Sequence, residues 1–274
     1  TLEALVSGIE FAVENGADVL SISIGWQDPT VSESTTFRHI FDNALELGIL
    51  SSIAAGNDGD QIYFYPVPKN INAPGNCPPA WIHPDQVANA GGVSGVISVG
   101  SVNENNGVSE FSSRGPVTWQ DTEWADYPYN PGIGLIRPDI SAPGDNVVSL
   151  SHTAYNGYIA LSGTSMAAPC VAGVIALMLE KNPDLTPSDL CRIIETTATK
   201  LSNTKSNETG SGFINALAAV NEGHDFPYLN FASCSPEVTL AGDNKEFAIK
   251  LVNNGTVATT GNTEVTISTE DEYV

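Results

Sequence analysis

Leu2, Leu5, Val6, Ile9 and Val13 recur at the three- and four-residue spacing of one helix face, and Asn15-Gly16 supplies a stop. The period then changes. Val19–Ile24 is a short apolar run ending at Gly25, and it predicts a buried parallel strand. A helix near Thr35–Leu47, closed by Gly48, and a strand over Ile49–Ala54 repeat the alternation. Apolar runs at Gly95–Val102, Val147–Leu150 and Tyr158–Leu161 predict further extended segments, the last feeding a long apolar helix over Met166–Leu179 that ends near Asn182-Pro183. Pro187 opens another helix to about Thr197, and Phe213–Val220 predicts a short final one. Strands alternating with helices predict an α/β fold: a parallel sheet with helices on both faces.

Two regions depart from this pattern. Asp60–Gly92 is a loop-rich insertion with prolines at 66, 68, 74, 78, 79 and 84. From about Phe226 the strands become short and alternating, at Glu237–Leu240, Glu246–Val252 and Glu264–Ser268, with turn signals at Asn253-Asn254-Gly255 and Gly261-Asn262. The expected organisation is an α/β domain over 1–222 followed by the start of an immunoglobulin-like β-sandwich over 226–274. Three strands are fewer than the seven or so a sandwich needs, so the second domain is expected to be cut short.

Charge narrows the partners. Ten basic and 32 acidic residues give a net charge of −22, which opposes binding to nucleic acid or to a membrane surface through a polybasic patch. The direct use of such a surface is solubility. Four cysteines do not make a disulfide scaffold, and Cys170 and Cys191 are expected to be small core residues on consecutive helices. No run of 18 or more apolar residues is present, so no membrane-spanning segment is expected.

Candidate chemistry centres on Gly163-Thr164-Ser165-Met166-Ala167-Ala168-Pro169, where an extended run meets the apolar helix. A serine there is placed for nucleophilic attack, beside free helix N–H groups and the positive dipole end. The plain alternative is a helix cap. The seven-residue string resembles the serine motif of the subtilisin-like serine proteases, the subtilases. It is not the nucleophile elbow of α/β-hydrolases, because Ala167 stands where that motif needs glycine. The family string usually continues with His after the proline, and here that residue is Cys170, a position distinct from the catalytic histidine.

Ile53–Gly59 looks like the subtilase oxyanion-hole segment. The resemblance implies that the Asn57 amide donates to the tetrahedral intermediate, although Asn-Asp-Gly is also turn chemistry. Asp18–Trp26 resembles the stretch that pairs with substrate backbone and lines the specificity pockets. Ser23, Ile24, Gly25, Ala55 and Gly56 are carried over as substrate-binding residues. Phe111–Pro116 and Arg137–Gly144 match family scaffold, so the resemblance runs from about Leu2 to Asn221.

A catalytic triad also needs a histidine base and an aspartate to orient it, and subtilases place both before the serine motif. Neither Asp-Ser/Thr-Gly nor His-Gly-Thr-His occurs in the sequence. His39, His83, His152 and His224 all lack the family context. The expectation is a piece that begins inside the catalytic domain, inactive alone. The family implies a secreted serine endopeptidase acting on polypeptides, without an organic cofactor and without a metal in the site. Calcium enters only as a family habit. The rival reading is a non-catalytic pseudo-protease that binds or scaffolds.

Overall fold

The computed structural model describes residues 1–77, 95–117, 135–153, 155–203, 205–225, 229–235 and 248–253. Within Thr1–Val220, four strands form a parallel sheet in the order β1 (Val19–Ile22), β2 (Leu50–Ala54), β3 (Val96–Val102) and β4 (Ile140–Pro143). Side chains on alternate residues of a strand face opposite ways. On β2, Leu50 and Ala54 join one core and Ile53 the other; on β3, Ile97 and Val99 join the first and Val96 the second.

The second core is closed by α1 (Leu2–Glu14) and α2 (Val31–Glu46), through Ile9, Phe37, Phe41 and Ala44. The first is closed by α3 (Thr164–Lys181) and α4 (Pro187–Thr197), through Val171, Ile175, Met178, Leu190 and Ile194. Helices therefore cover both faces, as the alternation predicts. Helix α3 is the one described helix long and apolar enough to cross a membrane, yet it packs against every strand of the four-stranded sheet.

Several boundaries differ from the sequence reading. β1 ends at Ile22, and Ser23–Gly25 leave the sheet exposed to solvent. α2 starts four residues early because Thr30 and Glu33 form a reciprocal capping box, with Thr30 Oγ1 accepting from Glu33 N and Glu33 Oε2 accepting from Thr30 N. β5 (Val147–Leu150) and β6 (Tyr158–Leu161) pair as an antiparallel hairpin. Phe213 is extended instead of helical, exchanging backbone bonds with Thr199, and the next residue, Ile214, donates to Ser141 O. The last helix, α5 (Ala216–Asp225), begins after Asn215, whose Oδ1 accepts from Ala218 N.

At the β4 edge a buried ionic network ties distant segments together. Arg137 pairs with Asp139 and donates to Cys77 O at 2.7 Å. Lys205 lies 2.7 Å from Glu195 Oε2 and 3.5 Å from Asp139, and Ser211 Oγ donates to the same Glu195 oxygen at 2.7 Å. Two cations face two carboxylates, so the buried charge sums to zero. Removing one member would strand its partner, at a cost of about 3–5 kcal/mol. Burial acts to lower the Lys205 pKa, but Glu195 and Asp139 outweigh it and hold the group above its ordinary value.

Residues Asn221–Val274 cluster as a separate unit. There β7 (Leu229–Ser235) pairs antiparallel with β8 (Ala248–Asn253), with an irregularity between Phe231 and Ser233. β8 falls on the expected Glu246–Val252 strand and β7 was not expected. The expected strands Glu237–Leu240 and Glu264–Ser268 lie outside the described residues.

Candidate active site

The site forms where β1 and β2 end and α3 begins, at one side of the sheet. Its centre is the first turn of α3. The N-cap is Gly163, which has no side chain to offer, and no side-chain cap bond is made. Ser165 is thus the second helical residue and not a cap. First-turn N–H groups have no partner inside a helix, so each must be satisfied from elsewhere.

Asn57 answers for one of them. Its Oδ1 accepts from Thr164 N at 2.9 Å and from Thr164 Oγ1 at 3.0 Å. The same threonine hydroxyl accepts from Gly56 N at 3.1 Å. Two donors on Oδ1 fix which way the carboxamide faces and leave Nδ2 free to donate. Nδ2 and Ser165 N both lie close to one point: a Cβ placed on Gly163 would be 3.4 Å from the first and 3.6 Å from the second. Two N–H groups therefore lie near one another at the first turn of α3, the turn that carries Ser165. Such an arrangement can hold an oxyanion next to a nucleophile, in the geometry that stabilises acyl-transfer transition states.

Pro169 shapes the same turn. It sits inside α3 and has no N–H, so the Ser165 carbonyl four residues earlier loses its helical donor. Ser23 Oγ fills the gap, donating to Ser165 O at 2.8 Å. The end of β1 is thereby pinned to the serine. Ser165 Oγ itself reaches Ser23 O at 3.5 Å, the limit of a hydrogen bond.

The five substrate-binding candidates divide. Ser23, Ile24 and Gly25 are exposed along one edge, Ile24 at 56 %. Ala55 and Gly56 form the facing wall but are buried, and their backbone groups are already engaged. Ala55 N donates to Val99 O and Ala55 O accepts from Asn72, while Gly56 O accepts from Ser113 N. Gly56 has a φ of 114°, which a side chain rarely tolerates, and a Cβ there would meet the Asn72 carboxamide carbon at 2.7 Å. A Cβ on Gly25 would meet Asn72 Cβ at 3.0 Å. Both glycines make room for Asn72.

Sequence reading did not single out Thr164, Ser113 or Asn72. Thr164 stands inside the quoted motif, and a threonine beside a cap position was the available signal. Ser113 supports the loop that carries Asn57 by accepting from Asp58 N at 3.0 Å, which ties the Phe111–Pro116 stretch to it. His39 is exposed on α2 and His152 is exposed between β5 and β6; the side chains of His83 and His224 lie outside the described residues. Cys191 is buried as expected, whereas Cys170 is exposed, its thiol 3.4 Å from Met166 O. Burial pushes the Cys77 and Cys191 thiols well above the ordinary range. Among the described residues no group of three His, Cys, Asp or Glu side chains could hold a metal ion.

Comparison with known proteins bears on the family and the fold. The sequence profile described as "Subtilase family" matches residues 1–212. The chain is 33% identical to Subtilisin DY of Bacillus licheniformis over 219 residues, covering 80% of this chain and 62% of that protein. It is 29% identical to Serine protease AprX of Bacillus subtilis over 255 residues, covering 80% and 48%. The chain thus spans about half to three fifths of these relatives. Among solved structures it resembles the self-cleaved protease domain of PatA (TM-score 0.57, 23% identity, 81% of this chain and 68% of that one) and the prenylagaramide maturation protease PagA (TM-score 0.58, 22% identity, 81% and 67%).

Proposed function

The chain belongs to the subtilase family, and from that premise we propose that it carries the nucleophile and the oxyanion hole of a serine endopeptidase. Ser165 Oγ attacks the scissile carbonyl of a polypeptide. Asn57 Nδ2 and Ser165 N receive the negative charge that develops on its oxygen. Ser23–Gly25 hold the substrate backbone as an added strand. The carrying observation is the pair of Thr164 donors on Asn57 Oδ1, which leaves the amide N–H as the group free to face Ser165.

Attack requires a base to take the serine proton and a carboxylate to orient it. We propose that both come from outside these 274 residues, so that this chain alone turns over no peptide. No organic cofactor takes part in this chemistry. An extracellular location is part of the same proposal and rests on the family resemblance.

The test is peptide hydrolysis by the full-length gene product and its Ser165→Ala variant. Turnover should fall by roughly 10⁶, the magnitude already established for loss of the triad serine in subtilisin itself. Equal turnover by the two proteins would refute the assignment. Peptide binding without turnover in either would make the protein a binding module.

A further inference from the structure

Asn72 sits between the two walls of the cleft and closes its floor. Its backbone N–H donates to Ala55 O at 2.8 Å on one wall. The next residue, Ala73, exchanges bonds of 2.8 and 2.9 Å with Trp26, directly after Gly25 on the other. The floor is therefore fastened to both sides and cannot swing away alone. The side chain stands in the gap: its Nδ2 lies 2.8 Å from the point a Gly56 Cβ would occupy and 3.5 Å from that of Gly25. Its Oδ1 is buried and has no hydrogen-bond partner among the described residues.

A substrate whose carbonyl oxygen sits between Asn57 Nδ2 and Ser165 N, with its backbone along Ser23–Gly25, directs the adjoining side chain into this gap. Resting on the peptidase reading above, we propose that Asn72 is the specificity-determining residue of that gap. It makes the pocket short and polar, with an amide N–H at the floor. The preferred side chain before the scissile bond then carries a neutral hydrogen-bond acceptor at its tip, as in Asn or Gln. A long apolar side chain would cover the Asn72 amide without returning a bond, and such polar mismatches discriminate more strongly than a difference of one methylene. A carboxylate accepts equally well but meets a protein of net charge −22.

Asn and Leu are near isosteres, as are Gln and Met, so each pair separates polarity from size. The experiment measures kcat/KM of the full-length protein on peptides differing only at that residue, and Kd of the matching product peptides for its Ser165→Ala variant. Asn should exceed Leu by at least about tenfold in both readouts, and Asn72→Leu should reverse the order. Asn72→Gly should deepen the pocket and admit Phe. A ratio near one, a preference for Leu, or a ratio untouched by Asn72→Leu would overturn the proposal. Absence of turnover with any peptide would sink the peptidase reading alone, because the binding ratios still decide the role of Asn72. If Asn72→Leu fails to fold, the Asn72→Gly variant and the wild-type ratios decide it.

Discussion

Two helix starts in this chain solve the same problem in opposite ways. At α4, Thr186 Oγ1 accepts from Asp189 N at 3.2 Å, Asp189 Oδ2 accepts from Thr186 N at 3.1 Å, and Pro187 stands in the first turn without an N–H to satisfy. That terminus is closed by its own residues. At α3 the cap is a glycine, and the only side-chain oxygen on its first N–H belongs to Asn57, 107 residues away in sequence. A cap made within the helix serves stability. A cap lent by the loop after β2 leaves the next N–H open and places an amide near it, as the proposed chemistry requires.

Mutations that separate turnover from stability break this contrast most directly. In the full-length protein, Asn57→Ala should lower kcat by about 10²–10³ with little change in KM, the magnitude already established for an oxyanion-hole donor in subtilisin. An unchanged kcat would reduce Asn57 to a turn residue. Thr164→Val removes the hydroxyl that holds Asn57 and orphans the buried Gly56 N–H. We expect kcat to fall roughly tenfold and stability by about 1–3 kcal/mol, read by steady-state kinetics and urea denaturation on the same sample. Thr186→Ala at the closed terminus should cost about 0.5–2 kcal/mol and leave kcat where it was; a matching loss of kcat would mean that the two helix starts are not functionally distinct.

The α4 side should also carry the alkaline limit of the fold. Lys205, beside Glu195 of α4, has a pKa raised in the folded state. A raised lysine contributes stability that is fully present below its unfolded value of about 10.4 and is lost as pH rises through the folded value. Melting temperature should therefore hold from neutral pH to about 10 and then drop. In Lys205→Met that final drop should shrink, and an identical alkaline profile would remove Lys205 as its cause.

Much of this was legible in the sequence because it is local. The 3.6-residue period of α1, the apolar runs of β2 and β3, and the Gly163–Pro169 string each announce themselves within ten residues. What escaped was long-range. β4 (Ile140–Pro143) reads as an irregular Ser-Ala-Pro stretch and becomes a strand only by pairing with β3. Phe213 has helical neighbours but is drawn into extended form by Thr199 and by the Ser141 edge. Thr164 and Asn72 matter through partners more than a dozen residues away, and no periodicity encodes such partners. Cys170 reads as a core residue on an apolar helix, yet it lies exposed.

Pro169 has a consequence beyond the shape of its helix. By withholding one N–H it makes the Ser165 carbonyl the anchorage of Ser23, the residue at which a bound peptide would begin to lie. On the proposed peptidase reading, gripping a substrate and aiming the serine are then coupled, through this 2.8 Å link and the longer 3.5 Å contact of Ser165 Oγ with Ser23 O. The Asn72 side chain takes no part in that link, although its backbone is fastened to the Ala55 wall.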